Sequence, residues 1–151
     1  MASDIRDYTP LRLMAADDED LRVISACLQD AVLKVGDFAY LPGERRFAFV
    51  ANRFLWEVCV DSATGPFWRV RTGLHFGDVR AVQHQHIRME AKDAVVELLA
   101  IHFEPAEDGA GFVILEFAGG GAIRLEVDAI TCEMSDLAAP WRTRAKPLHE
   151  G

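Results

Sequence analysis

No apolar run in the chain approaches ~18 residues, so no transmembrane helix is expected. The opening stretch, MASDIRDYTP, lacks the charged-then-apolar pattern of a secretory leader, and a cytoplasmic protein is expected. Cysteines are few and odd in number. Cys27, Cys59 and Cys132 are widely spaced in apolar surroundings, and no Cys-x-x-Cys occurs. That excludes a paired redox motif and points to buried free thiols in a reducing compartment. Positive charge is also short: 16 Lys and Arg stand against 24 Asp and Glu, a net −8. Whole-surface binding of nucleic acid is therefore disfavoured, which leaves only a local basic patch. No Gly-x-Ser-x-Gly elbow is present. Gly119-Gly120-Gly121 has no following Lys-Ser/Thr and enters a strand, so it is a tight turn and not a phosphate loop.

What is present is an ordinary globular composition, 50% hydrophobic and 26% charged. A length of 151 residues fits one domain with a substantial core. The ordered body is expected over about 10–141, with a loose tail over 142–151. Leu11 and Leu13 after Pro10 suggest a short edge strand. Leu21, Ile24, Leu28, Ala31 and Val32 recur at three- and four-residue steps. With Asp17 or Asp18 as N-cap, they predict one helix from Asp18 to Val32.

The rest reads as strands. Phe38–Leu41 and Arg45–Ala51 flank Pro42-Gly43-Glu44, a hairpin signal. Asn52-Arg53 reads as a second turn before a strand over Phe54–Val60. The stretch 61–66 is a loop, followed by strands over Phe67–Phe76 and Val79–Ile87. From Ala94 to Met134 three successive strands are expected. The first, Val95–Phe103, is apolar on both faces, with Glu97 the exception, and is therefore expected to be covered on both. Glycines 119 to 121 suit a reversal because they reach positive φ at little cost. Ile123, Leu125 and Val127 alternate with polar residues, then Ile130, Cys132 and Met134 continue one residue out of phase. A β-bulge near Asp128–Ala129 would absorb that slip. Trp141 is expected to pack on the body.

Gly73–Phe76 with Val79–Val82 echoes Ala122–Leu125 with Val127–Ile130. The fold class is therefore α+β: one N-terminal helix on a predominantly antiparallel sheet, rolled or sandwiched, or built as two similar β-units packed face to face.

The run from Asp20 to Val32, its continuation Lys34–Pro42, the strings Arg45–Ala48 and Asn52–Glu57, and Phe117–Val127 together resemble a family of small bacterial proteins known only as a domain of unknown function. The resemblance covers about Pro10 to Trp141. It implies a bacterial, single-domain, cytoplasmic protein and carries no activity, cofactor or catalytic residue.

Two sets of residues carry candidate chemistry. His84-Gln85-His86 with Glu90 resembles the first metal motif of cupin barrels, since residues two apart on a strand share a face. The second cupin motif is not recognisable, and Arg80 and Arg88 flank the pair. Glu90 lies about 13 Å beyond His86 on a straight strand at ~3.3 Å per residue. A polar, solvent-facing strand is the preferred reading, and no cofactor or stoichiometric metal is expected. The second set mixes Arg45, Arg46 and Arg53 with Phe47, Phe54 and Trp56, as anion- or single-stranded nucleic-acid-binding surfaces do. Asn52-Arg53 at an expected strand break is its most functional part. Lone His75 and His102 read as partly buried, satisfied residues. The leading functional expectation is a non-catalytic binding or scaffold module. Its rivals are a metal-dependent enzyme using His84 and His86, and an anion-binding module using Arg45, Arg46, Asn52 and Arg53. A homodimer is expected, because several sheet edges must be paired or covered.

Overall fold

The computed structural model describes residues 5–59 and 65–144. β1 (Arg12–Ala15) leads into α1 (Asp18–Leu28). The Asp17 carboxylate caps the helix by accepting from the Asp20 amide at 2.8 Å. Asp18, Glu19 and Asp20 sit where the helix dipole is positive. The buried stripe is Leu21, Ile24 and Leu28, and each such side chain contributes roughly 1.5–3 kcal/mol on leaving water. The helix stops at Leu28, short of the expected Val32. Asp30 takes a left-handed φ of 65° and its amide bonds to the Leu98 carbonyl at 2.7 Å, so the chain turns into a strand. Ala31 is buried just ahead of the next strand and Leu33 within it, instead of extending the helical stripe.

In chain order the remaining elements are β2 (Val32–Lys34), β3 (Ala39–Leu41), β4 (Arg46–Phe54), the single turn α2 (Trp56–Cys59), β5 (Phe67–Phe76), β6 (Val79–Gln85), β7 (Val95–Pro105), β8 (Gly111–Phe117), β9 (Ala122–Val127), β10 (Cys132–Asp136) and β11 (Trp141–Thr143). They form one eleven-stranded sheet in the order β1-β10-β5-β4-β2-β7-β8-β9-β6, with β3 beside β4 and β11 beside β5. Every pairing is antiparallel. The class is α+β, with one main helix against a large antiparallel sheet.

The sheet rolls without closing. β5 passes into β6 through a bend at Gly77-Asp78, and β9 into β10 through a longer bend over 128–131. The two bends pair with each other. The Gly77 amide bonds to the Thr131 carbonyl at 2.8 Å and the Asp128 amide to the Asp78 carbonyl at 3.1 Å. The Thr131 hydroxyl donates to Asp78 Oδ2 at 2.6 Å. The first halves of the echo fall in β5 and β9, but 79–82 lies in β6 whereas 128–130 lies in the bend before β10. β4-β5-β6 and β8-β9-β10 have the same connectivity, and each unit's third strand pairs on the other unit. Phe38 lies inside the roll, with its ring 5.9 Å from Phe47, 5.8 Å from Phe49 and 5.7 Å from Phe117. The main core runs from α1 through β4, β5 and β7 to β9.

Five further sequence expectations are corrected. The phase change after Val127 is not a bulge in one strand: the chain leaves β9 and enters β10, which pairs with β5 and β1. β7 is not covered on both faces. A register irregularity between Leu98 and Ala100 places Leu98 and Ile101 both inward and leaves Leu99 and Val95 exposed. Asn52-Arg53 is no turn, because β4 runs through it opposite Arg71 and Val70. The expected strand after Phe54 is replaced by α2, whose Trp56 indole donates to the Gln29 carbonyl at 3.1 Å. Arg142 and Thr143, expected to be loose, pair with Trp68 and Phe67. Of the loop expected over 61–66, residues 61–64 lie outside the described residues, as does 145–151 of the tail.

The glycine hairpin forms as expected. Gly119 and Gly120 have φ of 85° and 91°, and the Phe117 amide bonds to the Gly121 carbonyl at 2.8 Å. A Cβ on Gly121 would meet Ile87 at 2.8 Å, so a side chain there displaces the segment that follows β6.

Candidate functional site

The structure separates the sequence candidates. β6 ends at Gln85, and His86 turns off the strand with a left-handed φ of 55°. His84 lies opposite Ile123 within the ladder, so the two imidazoles do not share a strand face. Among the described residues, no three His, Cys, Asp or Glu side chains converge as a metal site would need. Glu90 bonds to its own backbone and to Arg88, whose guanidinium is 3.3 Å away, and its carboxyl pKa falls accordingly. His75 lies 3.3 Å from Glu133 through Nε2, while its buried Nδ1 has no protein partner. His102 is half-buried opposite Ile114.

The three arginines divide between the two ends of β4. Arg53 is fully buried, its guanidinium forked onto two carboxylates. It donates from Nε to Asp136 Oδ1 and from NH2 to Asp136 Oδ2, both at 2.8 Å. On the other side NH1 and NH2 reach the two Glu57 oxygens at 3.1 and 2.9 Å. The Asp136 carboxylate is itself buried, and it also accepts from Tyr8 Oη (2.8 Å), the Leu11 amide (2.8 Å) and Thr72 Oγ1 (2.9 Å). Burial opposes the charge on Arg53, but its hydrogen bonds to the Asp136 and Glu57 carboxylates outweigh it and its pKa rises. Burial likewise raises Asp136, yet the donors from Arg53, Leu11 and Tyr8 reverse this and hold the carboxyl below its ordinary value. Burial and the Asp136 charge together push the Tyr8 phenol upward. This cluster ties the N-terminal segment, β4, β5, α2 and β10 together. Arg53 gives four N–H bonds to the two carboxylates, and Glu57 remains partly exposed.

Arg45 and Arg46 stand at the opposite end of β4, roughly 23 Å from Arg53 by strand rise. Arg45 has a φ of 54° and ends the Pro42-Gly43-Glu44 turn, its amide bonded to the Pro42 carbonyl at 3.1 Å. Its guanidinium donates to Asp128, which also lies 3.5 Å from Arg80. These groups, with Tyr40 and Val79, line a cavity of about 520 Å3 between the β3–β4 turn and β6. Arg46 is exposed opposite Leu41. Asn52 is half-buried and accepts from Arg71 at 3.3 Å, in a separate cavity of about 320 Å3 with Lys34 and Asp37.

A concavity of about 610 Å3 lies beside β6. Gln83, His84, Gln85, Glu104 and Arg124 supply its polar wall, and Ile114 its apolar floor. Arg124 covers the Phe112 ring at 4.8 Å and donates to Gln83 from Nε at 3.0 Å. β6 also ends the hydrogen-bonded path of the sheet. The described cluster residues that sequence reasoning missed are Tyr8, Glu57, Thr72 and Asp136. The Arg53–Glu57 pair has helical i,i+4 spacing but was hidden by a strand reading, and nothing local marks Asp136, 83 residues away.

A family model described as "Protein of unknown function (DUF2948)" matches residues 11–149. The chain belongs to this family. In this DUF2948 member the match spans both ends of β4, the open edge β6 and the Asp136 carboxylate. No curated protein and no solved structure matches the chain. Among the described residues, no helix is long and apolar enough to cross a membrane.

Proposed function

We propose that the chain is a non-catalytic binding module that engages its ligand along the β6 side of the roll. One observation carries the reading. On that side a concavity runs over β6, β9, β8 and β7, its β6 wall made of exposed polar side chains, and β6 itself is the end strand of the sheet. Such a surface, with a small apolar floor and a few oriented polar groups, is built for recognition. Arg53 is fully buried, with four of its five N–H donors on Asp136 and Glu57, so of the expected anion-binding set it is Arg45, with Arg80, that fits a ligand. A bacterial cytoplasmic setting accords with unpaired thiols at Cys27 and Cys132, the latter buried with a pKa pushed up to about 12 by desolvation.

Amide spectra of the 15N-labelled protein, titrated with blocked acidic, neutral and basic decapeptides, test this. The largest perturbations are expected at 80–85 and 122–126. Perturbations centred on Asn52 and Arg71, or none with any peptide, would remove the β6 side as the binding surface.

A further inference from the structure

We infer that the open side of the roll, between β6 and β3, takes an extended acidic peptide that adds to β6 as a further strand. The inference rests on the binding-module reading and gives that surface its partner. On the free side of β6 only the first two residues are engaged. The Val79 amide bonds to the Arg45 carbonyl at 2.9 Å, and the Arg80 carbonyl accepts from Tyr40 Oη at 3.4 Å. From Ala81 to Gln85 the described chain places no strand there. Those five residues offer about 16 Å of ladder at ~3.3 Å per residue, enough for a peptide strand.

The two ends of the sheet are not equally guarded. β1 is four residues long, follows Pro10 and carries Arg12 paired to Glu133. β6 is seven residues long with no proline or lysine, and its register irregularity is confined to Val79/Ala81. The remainder is a regular edge.

Charge selects the occupant. Across the opening, Arg45 and Arg80 share the single carboxylate of Asp128, which leaves one positive charge and unused guanidinium donors in the 520 Å3 cavity. A carboxylate from an added strand would take them. Val82, partly buried at the rim of the core, and Tyr40 and Leu41, 37% and 44% exposed, offer apolar contact to the alternate side chains. The fitting sequence therefore alternates acidic and apolar residues. A second copy fits less well. β6 carries no acidic residue, and an antiparallel pairing of two copies centred on Val82 would set Arg80 against His84, so a second copy brings no carboxylate to the arginines.

The probes are a blocked decapeptide alternating glutamate and valine, and its lysine-for-glutamate counterpart. Affinity is read by fluorescence anisotropy and edge pairing by amide hydrogen exchange of the full chain. The acidic peptide is expected to slow alternate amides within Ala81–Gln85 at least tenfold and to leave β1 unchanged. The lysine peptide should bind at least tenfold more weakly. The double variant Arg45→Ala/Arg80→Ala should lose at least fivefold in affinity with an unchanged melting temperature. Equal affinity for both peptides, or protection on β1 instead of β6, overturns the inference. So does a free protein of twice 16.8 kDa by light scattering with Ala81–Gln85 already protected, since the edge would then belong to a second copy. Perturbation of 80–85 without amide protection sinks strand addition but leaves the binding module standing. No perturbation on the β6 side sinks both.

Discussion

An arginine stands at each end of β4, Arg53 near its end and Arg45 in the turn just before it, and the two behave as opposites. At Arg53 a guanidinium is wholly buried between Asp136 and Glu57, with Tyr8, Thr72 and the Leu11 amide completing the carboxylate's shell. At Arg45 the side chain is half-exposed and divides one carboxylate with Arg80. The difference lies in what the fold brings to each end. A buried charge persists only when its partners and hydrogen bonds offset desolvation, which leaves it nothing to offer a ligand. An exposed charge with a half-share of a counterion keeps donors available. At the two ends of β4, the first arrangement locks the roll and the second opens onto its edge.

The largest expected effect breaks the lock. Arg53→Met removes one partner and strands the Asp136 carboxylate in the core, for a loss of about 3–5 kcal/mol by urea unfolding. The double variant Arg53→Met/Asp136→Leu should lose less than Arg53→Met alone, because no buried charge is left unpaired. If the single substitution costs under about 1 kcal/mol, the cluster is not a lock.

Next is the acid limb. The Asp136 pKa is held below its unfolded value of ~3.9, so its contribution is present above that value and lost as pH falls through the folded pKa. Asp136→Asn should be less stable at pH 7, with a urea midpoint that changes less than the parent's between about pH 5 and 2. An unchanged acid slope would mean another carboxylate governs it.

Tyr8→Phe is smaller. It removes one hydrogen bond to a charged group, about 1.5–3 kcal/mol at most. The folded phenol pKa is raised, so its contribution holds below the unfolded value near 10 and fades as pH rises. The variant should therefore lose stability less steeply above about pH 10 than the parent. The smallest effect is at the other end of β4: Arg45→Ala should cost no more than about 1 kcal/mol, as exposed pairs do.

Much of the fold is legible in the sequence because it is written in local signals. Asp17 marks the helix start, Pro42-Gly43 and Gly119–Gly121 mark two hairpins, and alternation marks β5 and β9. What is not legible is non-local. The bend over 128–131 and the register irregularity at Leu99 both look like simple phase slips in a string. One carries the chain to a new strand and the other does not, and only the pairing partners decide. The echo between 73–82 and 122–130 was legible as similarity, but the exchange of third strands was not. The candidate site follows the same rule. Arg45 and His84 could be picked out by type, whereas the fate of Arg53 depends on Asp136, which no local pattern joins to it.

The central claim is that the roll is open at β6 and shut at the Arg53 cluster. Amide hydrogen exchange of the free protein tests it most directly. Alternate amides within Ala81–Gln85 should exchange far faster than those of β4 and β5 around Arg53 and Thr72, whose exchange should approach the global unfolding limit. Protection of Ala81–Gln85 equal to that of β4 and β5 in a monomer would contradict the account.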